Sequence, residues 1–263
     1  MSGTDQARRR MMRRRRRTVI LAVLLLSVSL LVVRIFQDSP DEKADAAPTW
    51  ATSSEAPASP SDDPLSTGTP SPTPPVIEEG KGTFDYAAVP EDASIAGDDG
   101  EIMTYRVAVE EGIAELPAEF AEFVDRVFQD ERGWTADGDW RFEHVSDDRP
   151  SFTIYLVSPT TRAKLCGTSD TYTSCRQGDA VVINLARWLN ATKHWDAPLE
   201  DYRAYVVNHE VGHRLGEGHV VCPKAGEPSP VMAQQTLGLH GCEPNAWPYV
   251  DGEYLTGPAG EYE

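Results

Sequence analysis

Residues 199–220 read LEDYRAYVVNHEVGHRLGEGHV. This segment predicts a helix that starts near Asp196, a residue suited to the N-cap, with Pro198 in its first turn. We expect the helix to run through Leu215 and to stop at Gly216, because glycine readily adopts the left-handed backbone conformation that ends many helices.

Two histidines of this predicted helix, His209 and His213, lie one turn apart and therefore face the same way. That spacing lets one helix offer two imidazole nitrogens to a single zinc ion. The turn at Gly216 brings back His219 as a third ligand. Three protein ligands leave the fourth position open to water, which is typical of a catalytic zinc site. Glu210 lies about 100° further round the helix, where it can reach that water without binding the metal.

The pattern from His209 to His219, followed by Pro230-Val231-Met232, resembles the metzincin clan of zinc metallopeptidases, including secreted or membrane-anchored actinobacterial members. The resemblance implies an α+β domain with a twisted mixed sheet, a backing helix, an active-site helix and a methionine turn at Met232 beneath the zinc. It also implies that a peptide substrate lies extended along an edge strand, for which the region from Thr171 to Gln177 is the candidate.

The resemblance implies a zinc-dependent endopeptidase, and the N-terminal segment described below predicts that it is membrane-tethered and extracytoplasmic. One catalytic zinc ion, bound by His209, His213 and His219, would activate water, and Glu210 would serve as the general base. Two alternatives remain open: a zinc-containing binding or scaffold protein of the cell envelope without turnover, and a wall-peptide amidase. The sequence leaves three candidates for a tyrosine that stabilises the oxyanion: Tyr249, Tyr254 and Tyr262.

The folded domain is predicted to span residues 81–263, because bulky apolar residues recur from about Lys81 onward. Apolar residues at helical spacing predict an amphipathic helix over about 115–130. Four segments read as strands: 102–109, 140–145, 152–157 and 181–185.

Four cysteines, Cys166, Cys175, Cys222 and Cys242, form an even set in a domain predicted to lie outside the cytoplasm, where disulfides are favoured. Pairing of sequence neighbours is the simplest of the three possible arrangements. It gives Cys166–Cys175 and Cys222–Cys242, and the second bridge would close a loop that contains Met232. A cysteine-bound second zinc is the alternative, although the spacings lack any C-x-x-C.

The N-terminal part predicts a membrane anchor. Residues 1–17 are a basic tail, and residues 18–36 form an apolar run long enough to cross a bilayer as a helix. Because the arginines cluster before this run, the N-terminus is expected in the cytoplasm and the domain outside. Residues 37–80, rich in Pro, Ser and Thr, predict a disordered stalk. A cleaved signal near Ala46, which would release the protein, is the alternative.

The charge distribution excludes one class of partner. Nine arginines against Asp5 give residues 1–36 a charge of +8, so the remainder carries −26 within a net charge of −18. Such an acidic body would repel phosphate backbones, and we therefore expect no nucleic-acid partner.

Overall fold

The computed structural model describes residues 75–262. The predicted basic tail (1–17), the transmembrane helix (18–36) and the stalk up to residue 74 lie outside the described residues. Among the residues that are described, no helix combines the length and the apolar character needed to span a membrane.

The ordered domain begins before the expected boundary at residue 81. Ile77, which the sequence assigned to the stalk, packs against the hydrophobic core. The Gly80 N–H donates to Ser158 Oγ at 3.1 Å, and the Thr160 N–H donates to the Glu78 carbonyl at 3.0 Å. Residues 77–80, which the sequence assigned to the stalk, are therefore attached to the domain.

A six-stranded mixed sheet forms the centre of the part described, which confirms the α+β class. The strands are β1 (Phe84–Tyr86), β2 (Glu101–Glu110), β3 (Trp140–His144), β4 (Phe152–Val157), β5 (Cys175–Gln177) and β6 (Ala180–Asn184). Their order is β1-β2-β4-β6-β5, and β3 pairs with β2 on the same edge as β1. Strands β2, β3, β4 and β6 run parallel to one another, whereas β1 pairs antiparallel with β2 and β5 pairs antiparallel with β6.

Helix α1 (Pro117–Gln129) covers the sheet with an amphipathic face, close to the predicted limits of 115–130. Phe120 and Phe128 are among its buried side chains, and Phe128 stacks on Phe142 of β3. The face also contacts Trp188, whose ring meets Phe120 edge-on. Burial of these aromatic side chains joins α1 to the sheet and supplies much of the core.

Two short helices follow strands directly, and neither was predicted. Helix α2 (Pro159–Cys166) has Ser158 as its N-cap, and helix α3 (Leu185–Asn190) has Asn184. In each case the cap side chain accepts a hydrogen bond from a backbone N–H of the first turn, which offsets unpaired donors at the helix start.

Helix α4 (Leu199–Leu215) contains His209 and His213, two of the three predicted metal ligands, and packs against β6 and α1. The predicted N-cap at Asp196 is wrong. Pro198, with an extended backbone, occupies that position, and its carbonyl accepts a hydrogen bond from the Trp195 ring N–H at 3.1 Å. The predicted end is confirmed, since Gly216 has a φ of +97° and closes the last turn.

Beyond α4, the chain is largely irregular within the described residues. It contains one small hairpin, β7 (Tyr249–Val250) and β8 (Glu253–Tyr254), which pair antiparallel. The remaining loops are held by turns, by side-chain hydrogen bonds and by a disulfide, and they surround the C-terminal end of α4.

Candidate metal centre

Three histidines meet at the C-terminal end of α4. His209 and His213 project from adjacent turns, and the left-handed turn at Gly216 redirects the chain so that His219 faces them. The Nε2 atom of His213 lies 3.2 Å from that of His209 and 3.0 Å from that of His219. The structure thus brings together the three predicted ligands.

The opposite ring nitrogen of each histidine faces a hydrogen-bond acceptor. His209 Nδ1 lies 2.8 Å from the Val231 carbonyl, and His213 Nδ1 lies 2.9 Å from the Glu217 carbonyl. His219 Nδ1 lies 3.3 Å from a carboxylate oxygen of Glu261. Because these acceptors favour the proton on Nδ1, the three Nε2 lone pairs are left to face one another.

This donor set fits a zinc ion. Tetrahedral zinc with bonds of about 2.0–2.1 Å holds its ligand nitrogens about 3.3 Å apart, close to the observed separations. Metal binding also requires neutral imidazole. Burial lowers the pKa of His213 to about 4 and holds the pKa of His209 well below its ordinary value. Burial therefore keeps these two rings in the protonation state that a metal needs.

Glu210 lies in the same cleft as the histidines but outside the ligand cluster. Its side chain is buried, with 6% of the residue exposed. Burial raises the pKa of Glu210 to about 8, against the opposing charges of Arg162 and Arg176. A carboxyl group in such surroundings is suited to exchanging protons.

Met232 lies directly beneath the histidine-bearing turn of α4. A Cβ atom added at Gly212 would collide with Met232 Sδ and would lie 2.7 Å from a ring carbon of Trp134. The residue before Met232, Val231, supplies the carbonyl that faces His209. Sequence reasoning identified Met232 but missed Gly212 and Trp134. A glycine inside a predicted helix was the available signal.

The histidines open into a cleft of about 430 Å³. One wall is β5 with the loop before it, which is the predicted region from Thr171 to Gln177. Strand β5 pairs only with β6 among the described strands, so its other edge is open. The cleft lining includes Arg162, Thr173, Ser174, Arg176, Glu210 and Gln234.

Arg162 of α2 organises this wall, although sequence reasoning did not identify it. The guanidinium donates to the carbonyls of Asp170 and Ser174 and to the hydroxyl of Thr173. It also forms an ion pair with the Asp170 carboxylate at 3.0 Å. One buried arginine thereby fixes the loop that leads into β5.

None of the three candidate tyrosines lines the cleft. The Tyr254 hydroxyl donates to Glu217 at 3.1 Å, and the Tyr262 hydroxyl accepts from the Cys222 N–H at 2.6 Å. Tyr205 does line the cleft, but its hydroxyl donates to the Ala233 carbonyl. The described cleft instead carries the cationic groups Arg162 and Arg176.

Both expected disulfide pairs are present. Cys166 is bonded to Cys175 and joins α2 to β5, and Cys222 is bonded to Cys242 around the loop that contains Met232. No free cysteine remains among residues 75–262, so the structure leaves no thiol there for a cysteine-bound metal.

A family comparison matches residues 71–250 to DUF3152, described as a protein of unknown function. The match covers more than half of the chain, and the chain belongs to this family. No curated protein and no solved structure matches the chain.

Proposed function

We propose that this protein is a zinc-dependent endopeptidase of the metzincin type, held outside the cytoplasm by its N-terminal segment. The observation that carries the proposal is the convergence of three Nε2 atoms beside Glu210, at the floor of an open cleft. The domain also has the parts that a metzincin requires: a mixed sheet, helix α1 against it, helix α4 with the histidines, and a turn that places Met232 beneath them.

The position of the histidines favours a catalytic site over a structural one. A structural zinc is closed by four protein ligands. Among the described residues, the cluster offers three, and the cleft provides access to the fourth side. The open edge of β5 provides unpaired backbone groups to which an extended peptide can add as a further strand.

Each residue then has a separate role. Zinc held by His209, His213 and His219 would supply Lewis-acid chemistry, activating water and polarising the peptide carbonyl. Glu210 accepts the proton released as water attacks the carbonyl carbon, and it delivers that proton to the amine as the C–N bond breaks. The backbone of β5 aligns the peptide, and Arg162 keeps this wall in place.

Metal analysis and a peptide library test the proposal together. We expect the purified domain to bind one zinc ion and to cleave internal peptide bonds, and a chelator should stop the cleavage. His213→Ala should lose both the zinc and the activity. Undiminished zinc in His213→Ala would disprove the ligand assignment. Wild-type protein that binds zinc yet cleaves nothing in a broad library would favour the binding or scaffold alternative.

A further inference from the structure

The C-terminal segment 257–262 runs alongside the loop that carries His219. The Val221 N–H donates to the Pro258 carbonyl at 2.9 Å, and the Gly260 N–H donates to the His219 carbonyl at 3.3 Å. Between these bonds, Val220 and Ala259 form an antiparallel bridge. The segment, here called the strap, therefore pairs like an added strand with the backbone around His219, the third predicted ligand.

Close packing holds the strap against this loop. A Cβ atom added at Gly257 would overlap the Val221 carbonyl oxygen. A Cβ atom at Gly260 would lie 3.0 Å from Val221 Cγ1. A side chain at position 257 would push the strap away from the Val221 backbone, so the approach depends on Gly257, whereas at position 260 it would crowd only the Val221 side chain.

The far end of the strap is fastened to the loop that contains Met232. The Tyr262 hydroxyl accepts from the Cys222 N–H, and the Tyr262 N–H donates to Gln234 Oε1 at 2.8 Å. The Tyr262 ring also stacks on His240, with ring centroids 3.6 Å apart. These contacts fix the residue next to Glu261 and so limit where the Glu261 side chain can reach.

Glu261 is the strap's contact with the metal centre. Its carboxylate lies 3.3 Å from His219 Nδ1. His209 and His213 are held by the helix and face backbone carbonyls, whereas His219 follows an irregular loop and faces this carboxylate. A ligand on a loop loses more freedom on binding a metal than one already held by a helix. An outer partner therefore matters most at His219.

We infer that the strap is part of the metal centre and that Glu261 is the positioning residue that orients His219 for binding. This inference rests on the proposed zinc site. It extends the site beyond residue 250, where the family match ends. The strap holds the His219 backbone, and Glu261 holds the proton on Nδ1, which leaves Nε2 free for the metal.

Zinc affinity, measured by competition with a chromogenic chelator, tests this inference. We expect Glu261→Ala to bind zinc about tenfold more weakly than wild type. This is the lower end of the usual effect of removing a residue that hydrogen-bonds to a metal ligand, because Glu261 is largely exposed. Glu261→Gln retains an acceptor oxygen and should lose less. Glu253→Ala, an exposed glutamate of β8, is the matched control and should bind as wild type does.

Two further readouts separate positioning from folding. The melting temperature of the metal-free protein should be the same for Glu261→Ala as for wild type, while the visible spectrum of the cobalt-substituted protein should change. Gly257→Ala, which displaces the whole strap, should weaken zinc binding more than Glu261→Ala. Equal zinc affinity in wild type, Glu261→Ala and Gly257→Ala would overturn the inference and leave the zinc site intact. Wild-type protein that binds no zinc would overturn both.

Discussion

In the proposed function, Glu210 transfers protons and is not a metal ligand. Its carboxyl group is buried in the cleft beside the histidines but does not belong to their cluster. We therefore expect Glu210→Gln to keep stoichiometric zinc and the fold while losing turnover by about 10²–10⁴-fold, the usual contribution of a positioned acid or base. Metal analysis and peptide hydrolysis measure the two quantities on the same sample.

His213→Ala is the matched comparison for this variant, because it should lose the metal itself. If Glu210→Gln lost zinc to the same extent, Glu210 would support the metal site rather than the chemistry. In cells, a comparison of protein termini between wild type and Glu210→Ala should identify the substrates. Identical sets of termini would argue against a peptidase.

Gly212 tests how closely Met232 packs beneath the histidines. An added methyl group at this position meets Met232 and the ring of Trp134. We expect Gly212→Ala to lower the free energy of unfolding by about 1–3 kcal/mol, the usual cost of overpacking a filled core. Denaturant unfolding measures this change.

Gly218→Ala is the control for Gly212→Ala. It lies in the nearby loop, and an added Cβ there meets nothing within 4 Å. Its stability should be unchanged or slightly higher, because alanine restricts the unfolded chain. Equal stability of the two variants would show that Met232 moves aside freely, in which case this packing does not hold the site.

At the level of residues, the sequence predicted which histidines meet, but not the residues that hold them in place. The spacing of His209, His213 and His219 is local, so helix geometry and one glycine turn were enough to predict that they meet. Arg162 and Glu261 act over separations of 8–12 and 42 residues respectively. No local pattern indicates such contacts, because they depend on how distant segments pack.

Among the elements, the long ones were predictable and the short ones were not. Helix α1 has a clear apolar face, and β4 alternates between buried and half-buried residues. Helix α2 has almost no periodicity and carries the buried arginine Arg162, so only its place in the fold makes it a helix. The predicted start of α4 was two residues early: Asp196 is a residue type suited to the N-cap, but Pro198 holds that position and its carbonyl accepts a hydrogen bond from the Trp195 ring N–H.

The loop before β5 should respond to pH through Asp170. Partial burial opposes ionisation, but hydrogen bonds from Thr173 and Tyr172 and the charge of Arg162 outweigh it and lower the pKa of Asp170. Because the pKa of Asp170 is lower in the folded protein than in the unfolded chain, its ionised carboxylate stabilises the fold at pH values above the unfolded-chain pKa of about 3.9. This contribution is lost as the pH falls through the pKa of Asp170 in the folded protein.

We therefore expect Asp170→Asn to reduce the free energy of unfolding at pH 7 by about 1 kcal/mol or less, since the carboxylate is partly exposed and screened. The difference from wild type should shrink as the pH falls below about 4. Asp148→Asn, which removes an exposed partner of Arg106, should leave stability unchanged. A deficit for Asp170→Asn that persisted at low pH would show that its hydrogen bonds, and not its charge, hold the loop.

For the whole molecule, the order of the predicted strands and helices and the resemblance to metzincins were enough to predict one α+β domain, but not how its C-terminal part folds back. Residues 251–262 show little periodicity, yet the strap returns to His219 and completes the surroundings of the site. The predicted start of the domain at residue 81 was also too far along the chain, because the contact that attaches the preceding residues is distant in sequence. Gly80 is fixed by a hydrogen bond to Ser158, which lies far away in the sequence.

The N-terminal sequence predicts how the chain is oriented in the membrane. The apolar run 18–36 has 19 residues, and a helix of that length approaches the thickness of the hydrocarbon core, about 30 Å. Eight arginines precede the run, and only Arg34 lies within it, so the positive side should remain in the cytoplasm. The metal centre would then face the exterior, where its two disulfides are stable.

Protease treatment of intact spheroplasts measures this orientation. We expect a C-terminal tag to be digested from outside, while an N-terminal tag and a cytoplasmic marker are digested only after lysis. The predicted stalk should be cut first, because a disordered segment is more accessible to a protease than a folded domain. A mature N-terminus at Ala47 would instead show that the apolar run is a cleaved signal. Protection of the C-terminal tag in intact cells would place the domain in the cytoplasm, which would contradict an extracytoplasmic peptidase.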